Sequence, residues 1–560
     1  MGAIIDALTE LQHREGHLRD DALRALSDRL NVPLYRLEGL VSFYPHFRRT
    51  PAPAVEVALC RDVSCRLAGG KDWCERAAAR LAGRPGVEVR QVSCLGRCEI
   101  APAAAVNEHP LCGRDLDDLV ARVESPPPHG ETPASPPARP WASDPYPTGE
   151  SRYGVLRKLL AEWSDATSDT LITTLKESGL RGMGGAGFPT GVKWEMVRKE
   201  PGMTGRLAGD PPGSESPLSS KYVICNADES EPGTFKDRVI LDELPHLIIE
   251  GMVLGGLCVG AEEGIVFIRH EYGREREMLA RAIDDARARG VVGPDVLGSG
   301  RRFELSIAVS PGGYILGEET ALLECLEDKR GEPRNKPPFP GQKGLWGRPT
   351  LINNVETFSL VPMILHEGAS AWKARGVRGS GGLKFIALSG DVVRPDVYQV
   401  PMGTTIQELV DLAGGVLGGR AILAIAPGGA SSNFLRPEHA DAPLDFKALA
   451  DRGSMLGSGA VLIVAEGADL IDLVTNVVTF FRNESCGKCV PCRVGSEKAV
   501  TILEQAVLGK GSRRHLELLP QLNETLYETS ICGLGQVALA PFLSVMKAWD
   551  AEVRARFPLE

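Results

Sequence analysis

The chain has 560 residues, 43% of them hydrophobic and 24% charged, the proportions of a globular protein long enough for several domains. A net charge of −10 speaks against nucleic acid and against an anionic membrane surface; no run approaches the roughly 18 apolar residues of a membrane span, and no signal peptide is expected. Thirteen cysteines, most of them in two spaced groups, point to metal ligation in a reducing cytoplasm rather than to a disulfide framework.

Residues 2–31 carry apolar positions at helical spacing (Ile4, Ile5, Leu8, Leu11, then Leu23, Leu26, Leu30) and predict two amphipathic helices. Val55–Cys60 and Gly86–Val92 predict strands, with a helix around Trp73–Leu81 between them. Cys60 and Cys65 follow the first strand, Cys94 and Cys98 the second. Two thiolate pairs on neighbouring loops suit a [2Fe–2S] centre with two ligands per iron, and a structural zinc ion is the alternative. The stretches Leu37–Tyr44, Cys60-x-x-x-x-Cys65 and Cys94-Leu-Gly-Arg-Cys98-Glu-Ile-Ala-Pro102 resemble the thioredoxin-like [2Fe–2S] subunit of NADH dehydrogenases. That resemblance implies a domain over residues 1–125 with Cys60, Cys65, Cys94 and Cys98 as ligands. Cys74 and Cys112 match no ligand position and are expected to be packing thiols. Residues 126–150 are proline-rich and read as a semi-rigid linker.

Gly179–Trp194 is the densest glycine stretch. Gly182, Gly184 and Gly187 fit G-x-G-x-x-G, but Thr170–Ser178 before them reads as helix and Pro189 interrupts the residues after them, so the βαβ setting of a dinucleotide fingerprint is missing. What remains is backbone open to a phosphate or ring, with Lys193 as a cation. Tyr222–Asn226 predicts a strand running into the acidic Ala227–Asp237. A helix (Leu244–Leu257), a strand (Gly264–Ile268), a helix (Arg274–Arg289) and a strand (Phe303–Val309) then predict an α/β core. Gly313–Thr320, Lys336–Pro340 and Thr350–Thr357 complete the set. In this order the motifs resemble the NADH-oxidising flavoprotein subunit of respiratory NADH dehydrogenase and its soluble relatives.

The resemblance implies a Rossmann-like FMN- and NADH-binding domain over residues 151–380. FMN would be held by Gly182, Gly184, Gly185, Lys193, Asn226, Asp228, Glu229, Ser230, Tyr314, Gly317, Glu318, Asn353, Asn354 and Thr357. NADH would stack its adenine on Phe188 and Phe339, with Lys336, Glu231 and Glu319 at its ribose, phosphate or nicotinamide end. Glu319 and Glu229 are the candidate catalytic residues, Glu319 orienting the nicotinamide. Met183, Leu316 and Met196 depart from the family wording, Met196 replacing an aromatic expected beside the adenine.

Lys384–Asp391 and Pro395–Pro401 read as a hairpin, followed by a helix (Thr405–Leu412) and a strand (Ala421–Ile425). This predicts a ubiquitin-like β-grasp domain over 381–468 with a spacing and docking role and no chemistry of its own. Four helices, Ile471–Arg482, Val494–Leu508, Arg514–Tyr527 and Ala538–Arg554, predict a bundle over 469–560. It carries Cys486, Cys489 and Cys492 at C-x-x-C-x-x-C spacing with Cys532 beyond, the ligand pattern of a [4Fe–4S] cluster. Lys488 and Arg493 would offset its charge.

The fold class is therefore multidomain α/β, with cofactors FMN, NAD(H), a [4Fe–4S] and a [2Fe–2S] cluster. The implied activity is that of a diaphorase: hydride from NADH to the flavin and single electrons onward to the cluster of Cys486, Cys489, Cys492 and Cys532, or the reverse. The [2Fe–2S] centre is a side store or an exit. The expected setting is a cytoplasmic hetero-oligomer without nucleic acid or membrane insertion. Its partner is expected to be the iron–sulfur/molybdopterin subunit of a molybdenum or tungsten formate dehydrogenase; a respiratory complex, an NAD-reducing hydrogenase and a non-catalytic redox scaffold are the alternatives. Acidic Glu231 near the ribose is expected to disfavour a 2′-phosphate.

Overall fold

The computed structural model describes residues 3–128, 139–146, 148–202 and 220–560, and among them twelve strands form three four-stranded sheets. The first sheet contains β1 (Val55–Cys60), β2 (Val87–Val92), β3 (Ala103–Val106) and β4 (His109–Cys112), in the order β2-β1-β3-β4. β1 and β2 run parallel, which requires a crossover, and the helix Gly70–Leu81 supplies it. Val57, Leu59, Trp73, Cys74 and Ala77 form the core beneath this sheet, so Cys74 is the packing thiol expected; Cys112 is half-buried on an edge strand.

The two helices expected within residues 2–31 are Ala3–Glu15 and Asp20–Leu30, and a third, Leu34–Phe43, follows them before this sheet. Their apolar faces join a core shared with Ile315, Leu316 and Leu322 of the flavin module rather than the core under β1. The first helix has its leading amides, Ile4 and Ile5, capped by the Asp328 carboxylate at 3.0 and 2.9 Å.

The central sheet holds β5 (Tyr222–Ala227), β6 (Glu263–Arg269), β7 (Glu304–Ser310) and β8 (Thr350–Asn354), all parallel, in the order β7-β6-β5-β8. The two middle strands, β5 and β6, are buried on both faces, as a parallel sheet wrapped by helices demands. The chain steps outward from β5 to β7 and returns to the other side of β5 for β8. That reversal opens a crevice at the carboxyl ends of β5 and β8, where Asn226 and Asn354 stand in register. The glycine stretch is preceded by the helix Asp165–Ser178, as expected. It is succeeded at once by the helix Thr190–Lys199, correcting the reading of Pro189 as an interruption: Pro189 sits at the N-cap, where its missing N–H is not needed.

The third sheet is β10-β9-β12-β11, built from β9 (Leu383–Gly390), β10 (Asp396–Pro401), β11 (Ile422–Ala426) and β12 (Ala460–Ala465). β12, parallel to β9 and buried along its whole length, was not among the expected strands. The bundle comes next, with helices Leu470–Asn483, Val490–Val507 and Arg513–Thr529. The single helix expected over Ala538–Arg554 is two, Ala540–Ala548 and Asp550–Ala555, broken at Trp549. Among the described residues no helix is long and apolar enough to cross a membrane.

Much of the expected linker (129–138 and 147) lies outside the described residues. Its described tail is anchored rather than free. Arg139 pairs with Glu243 and Asp396 at 3.2 and 2.9 Å, and the Trp141 ring lies 5.0 Å from that of Phe385.

Candidate flavin pocket and redox centres

The glycine loop is fastened across the crevice. The Gly182 amide donates to the Phe188 carbonyl at 2.8 Å, closing the loop on itself, and the Met183 amide donates to Thr357 Oγ1 at 2.9 Å. Gly184 lies so near Asn354 that an added Cβ would stand 2.9 Å from the Asn354 Cβ, and Gly187 adopts φ +62°, which favours glycine. Below the loop, Trp194 Nε1 donates to Asn353 Oδ1 at 2.9 Å. Asn354 caps the next helix through the Glu356 amide at 3.0 Å and donates to Asp237 at 2.5 Å.

At the end of β5, Asn226 donates to the Gly317 carbonyl at 2.8 Å. Asp228 is buried; Ser230 bonds its Oδ1, while Oδ2 has no hydrogen-bond partner among the described residues. Burial pushes its carboxyl up to about 6. Glu229 faces inward instead: its two oxygens accept the Asp237 and Arg238 amides at 2.9 and 3.1 Å, capping the helix Lys236–Glu243, and burial together with Asp237 raises it to about 8. A carboxylate so committed is placed to support the pocket, not to touch a nicotinamide. Glu231 is held by the Ser431 amide and hydroxyl at 2.9 and 2.5 Å.

Across the crevice, Glu318 caps the helix Glu319–Leu326 through the Thr320 and Ala321 amides. Lys336 bridges Glu318 and Glu319 at 2.8 and 2.9 Å, which together raise its pKa against the opposing pull of burial. Lys193 reaches the Ile352 carbonyl at 3.0 Å and Glu319 at 4.0 Å; burial lowers its pKa. On the glycine loop, on the helix of Lys193 and just after Lys336 the chain leaves Phe188 43%, Met196 45% and Phe339 50% exposed. The helix bearing Met196 packs on the short helix after Phe339, with Val197 against Gly341. Tyr314 is packed against Phe480 and Phe481 of the bundle, and its amide donates to Glu484 at 2.9 Å.

The β-grasp domain does more than space. Besides Ser431, it supplies Phe446 beneath Gly187 and residues 457–458 alongside Gly185. Under the pocket it also supplies Lys384, fully buried, which donates to Glu356 at 2.5 Å, while Lys236, equally buried, reaches the same oxygen at 2.9 Å and Asp237 at 2.7 Å. Desolvation brings Lys384 down to about 8. Sequence reasoning missed this wall because its partners lie far apart along the chain; the one available signal was a lysine inside an otherwise apolar strand.

The two cysteine sets differ in exposure. Cys60, Cys65, Cys94 and Cys98 are all buried; the Cys94 and Cys98 sulfurs lie 3.6 Å apart, Cys65 accepts the Ala103 amide at 3.3 Å, and Cys94 accepts the Gly96 amide at 3.4 Å. Contact with the Cys60 and Cys98 thiols holds Cys94 well below its usual pKa. Cys486, Cys489 and Cys532 are half-exposed around buried Cys492. Cys489 stands at the N-cap of the helix Val490–Val507, and Ser485 Oγ lies 3.3 Å from the Cys492 sulfur. Lys488 bonds the Pro333 carbonyl at 2.7 Å and Arg493 the Gly487 carbonyl, both beside the loop.

Comparison with known proteins places each module. Residues 175–363 match the Nuo51 FMN-binding domain, 1–121 the thioredoxin-like [2Fe–2S] ferredoxin, 385–430 the SLBB domain and 472–556 the NADH-ubiquinone oxidoreductase-F iron–sulfur binding region. An NADH-quinone oxidoreductase F-type subunit of Rhizobium meliloti is 42% identical over 401 residues, 71% of this chain and 91% of the relative. The chain belongs to the NADH-quinone oxidoreductase F family. The NADP-reducing hydrogenase subunit HndC of Solidesulfovibrio fructosivorans is 40% identical over 397 residues, 71% of this chain and 78% of that one. A crystal structure of an NAD⁺-reducing [NiFe]-hydrogenase in the H₂-reduced state superposes with a TM-score of 0.83 at 31% identity, covering 99% of this chain and 92% of the other.

As a family member the chain is an NADH-oxidising, FMN-dependent enzyme module with [2Fe–2S] and [4Fe–4S] regions. The residues present fit those groups. Buried Asp228 Oδ2 lacks a donor that a flavin hydroxyl can supply, and the glycine loop leaves backbone open at Gly185, where an added Cβ would meet nothing closer than 3.9 Å. All eight cluster-candidate thiols are free of disulfides.

Proposed function

We propose that the chain is the NAD(H)-side subunit of a larger electron-transfer complex, with the β5/β8 crevice as its active site. The observation that carries this is the crevice itself: a glycine loop, an unsatisfied buried carboxylate and a cluster of lysines and glutamates, with exposed Phe188, Met196 and Phe339 on the loop, the helix of Lys193 and the segment after Lys336. FMN, when bound, supplies hydride acceptance and release of electrons one at a time. The protein's part is orientation. Asp228, Asn226, Gly184 and Gly185 hold the flavin; Phe188, Phe339 and Met196 offer an apolar face to adenine; Lys336 and Lys193 meet phosphate or ribose oxygens. Glu319, tied to both lysines, aligns the nicotinamide, so that no side chain need move a proton during hydride transfer. Glu229 keeps a supporting role beneath.

For the terminal partner we propose the molybdenum or tungsten formate dehydrogenase setting, in the cytoplasm, on the resemblance of the Ser530-Ile-Cys-Gly-Leu-Gly535 wording to those enzymes, the two-module fusion being common to them and to NAD-reducing hydrogenases. The likeness over 99% of the chain to an NAD⁺-reducing hydrogenase structure supports a hydrogenase setting as the second reading. Native purification with metal analysis separates them: molybdenum or tungsten with formate-dependent NAD⁺ reduction supports the first, nickel with H₂-dependent reduction the second. The diaphorase reading itself is tested with Cys532→Ser. NADH reduction of ferricyanide should survive while the [4Fe–4S] signal disappears; a flavin-loaded wild-type chain without turnover would sink it.

A further inference from the structure

The loop bearing Cys94 and the loop following β5 meet at one buried guanidinium. Arg269, the last residue of β6, is 3% exposed. Its Nη2 donates to the Cys94 carbonyl at 2.7 Å, its Nη1 to the Glu229 carbonyl at 2.6 Å, and its Nε to the Glu271 carboxylate at 3.0 Å. The guanidinium lies 5.0 Å from the centroid of the Tyr272 ring, whose hydroxyl donates to the Glu229 carboxylate at 3.1 Å. Gly96 leaves no space on the far side: an added Cβ would stand 2.5 Å from the Tyr272 hydroxyl. Two other ion pairs, Arg97–Glu275 at 3.0 Å and Arg238–Glu99 at 2.6 Å, already clamp the same loop. Arg269 differs from them in bonding the backbone of a cysteine ligand.

We propose that Arg269 is a positioning residue that sets the electron affinity of the [2Fe–2S] centre and ties that centre to the flavin-side loop. This rests on Cys60, Cys65, Cys94 and Cys98 being the ligands of that centre. A fixed cation bonded to a ligand's own carbonyl favours the form of the centre carrying one more electron, and the effect is large where water is excluded. The centre gains one electron and no proton moves, because a guanidinium stays charged throughout. Glu271 takes the Nε edge, so the balancing carboxylate is not the group bonded to the cysteine loop. The fork matters as much as the charge: one lysine ammonium does not reproduce three directed bonds to two carbonyls and a carboxylate in a fixed plane.

The test is an EPR-monitored redox titration of the full chain with both clusters loaded, comparing wild type, Arg269→Met and Arg269→Lys, with the [4Fe–4S] signal as an internal reference. Arg269→Met is expected to lower the electron affinity of the [2Fe–2S] centre tenfold or more, 59 mV for one electron, while the reference stays in place. Arg269→Lys should fall between the two. If Arg269→Met does not hold the centre, Arg269→Lys decides: at least a threefold loss supports the proposal, and titration at the wild-type value overturns it. A lysine variant that keeps flavin and [4Fe–4S] but loses [2Fe–2S] would assign Arg269 to structure alone and also overturn it. A wild-type chain without any [2Fe–2S] signal would instead sink the ligand reading on which the proposal stands.

Discussion

Replacing Gly184 by alanine is expected to loosen the floor of the flavin crevice, whereas the same change at Gly182 is not. At Gly184 the new methyl would stand 2.9 Å from the Asn354 Cβ and 3.2 Å from its Cγ, the root of the side chain, so Asn354 must move bodily. Asn354 holds the cap on the Glu356 amide and the bond to Asp237. Losing the cap costs about 1 kcal/mol and disturbing a hydrogen bond to a buried carboxylate about 2 kcal/mol more. A total of about 3 kcal/mol is roughly a hundredfold in the local opening equilibrium. At Gly182 the methyl would meet the Phe188 carbonyl at 3.6 Å, an ordinary contact, so the change should stay within about 0.5 kcal/mol. Hydrogen exchange at the Glu356 and Thr357 amides of the flavin-free chain reads the difference directly. Equal protection in the two variants would refute the reasoning, because the motif alone treats these glycines alike.

Buried groups carry two further expectations. His46 is driven down to about 3 by burial and by His270, and Glu271 sits at about 2 because Arg269 and His270 outweigh its burial. Both folded values lie below the unfolded ones, so the unfolded chain binds more protons. Their contribution should therefore be full above about pH 6.5 and fall as pH drops towards 3, while Asp228 and Glu229, raised to about 6 and 8, act in the opposite sense; a urea midpoint whose change between pH 7 and pH 4 is the same in wild type and His46→Gln would contradict this. Lys384→Met leaves Glu356 without one of its two buried cations and should cost about 3–5 kcal/mol. A shift in unfolding free energy below about 1 kcal/mol would show that Lys236 alone suffices.

What the sequence made legible was local. Alternation marked β1, short apolar runs marked β5 and β6, and cysteine spacing pointed to the two iron–sulfur regions, because those signals depend only on neighbours in the chain. The residues flanking the glycine loop deny it the setting of a dinucleotide fingerprint, and the structure agrees: the loop lies between two helices. The missed features depend on distant partners. Nothing in Ile4–Leu11 says that its apolar face joins the core that holds Leu316 and Leu322, or that Asp328, more than 300 residues on, caps it. Ala460–Ala465 carries no polar alternation because it is central and covered on both sides, so it gives no strand period. Pro189 argues against a helix only until its place at the N-cap is known.

The lysine–glutamate knot beneath the crevice bears on how such proteins can be recombined. Lys236 and Glu356 come from one side of a domain cut near residue 380, Lys384 and Ser431 from the other. A chimera spliced there would inherit half of a buried charge set and half of the grip on Glu231. The flavin and β-grasp pieces should therefore travel through evolution, or through an engineer's hands, as a single inherited unit.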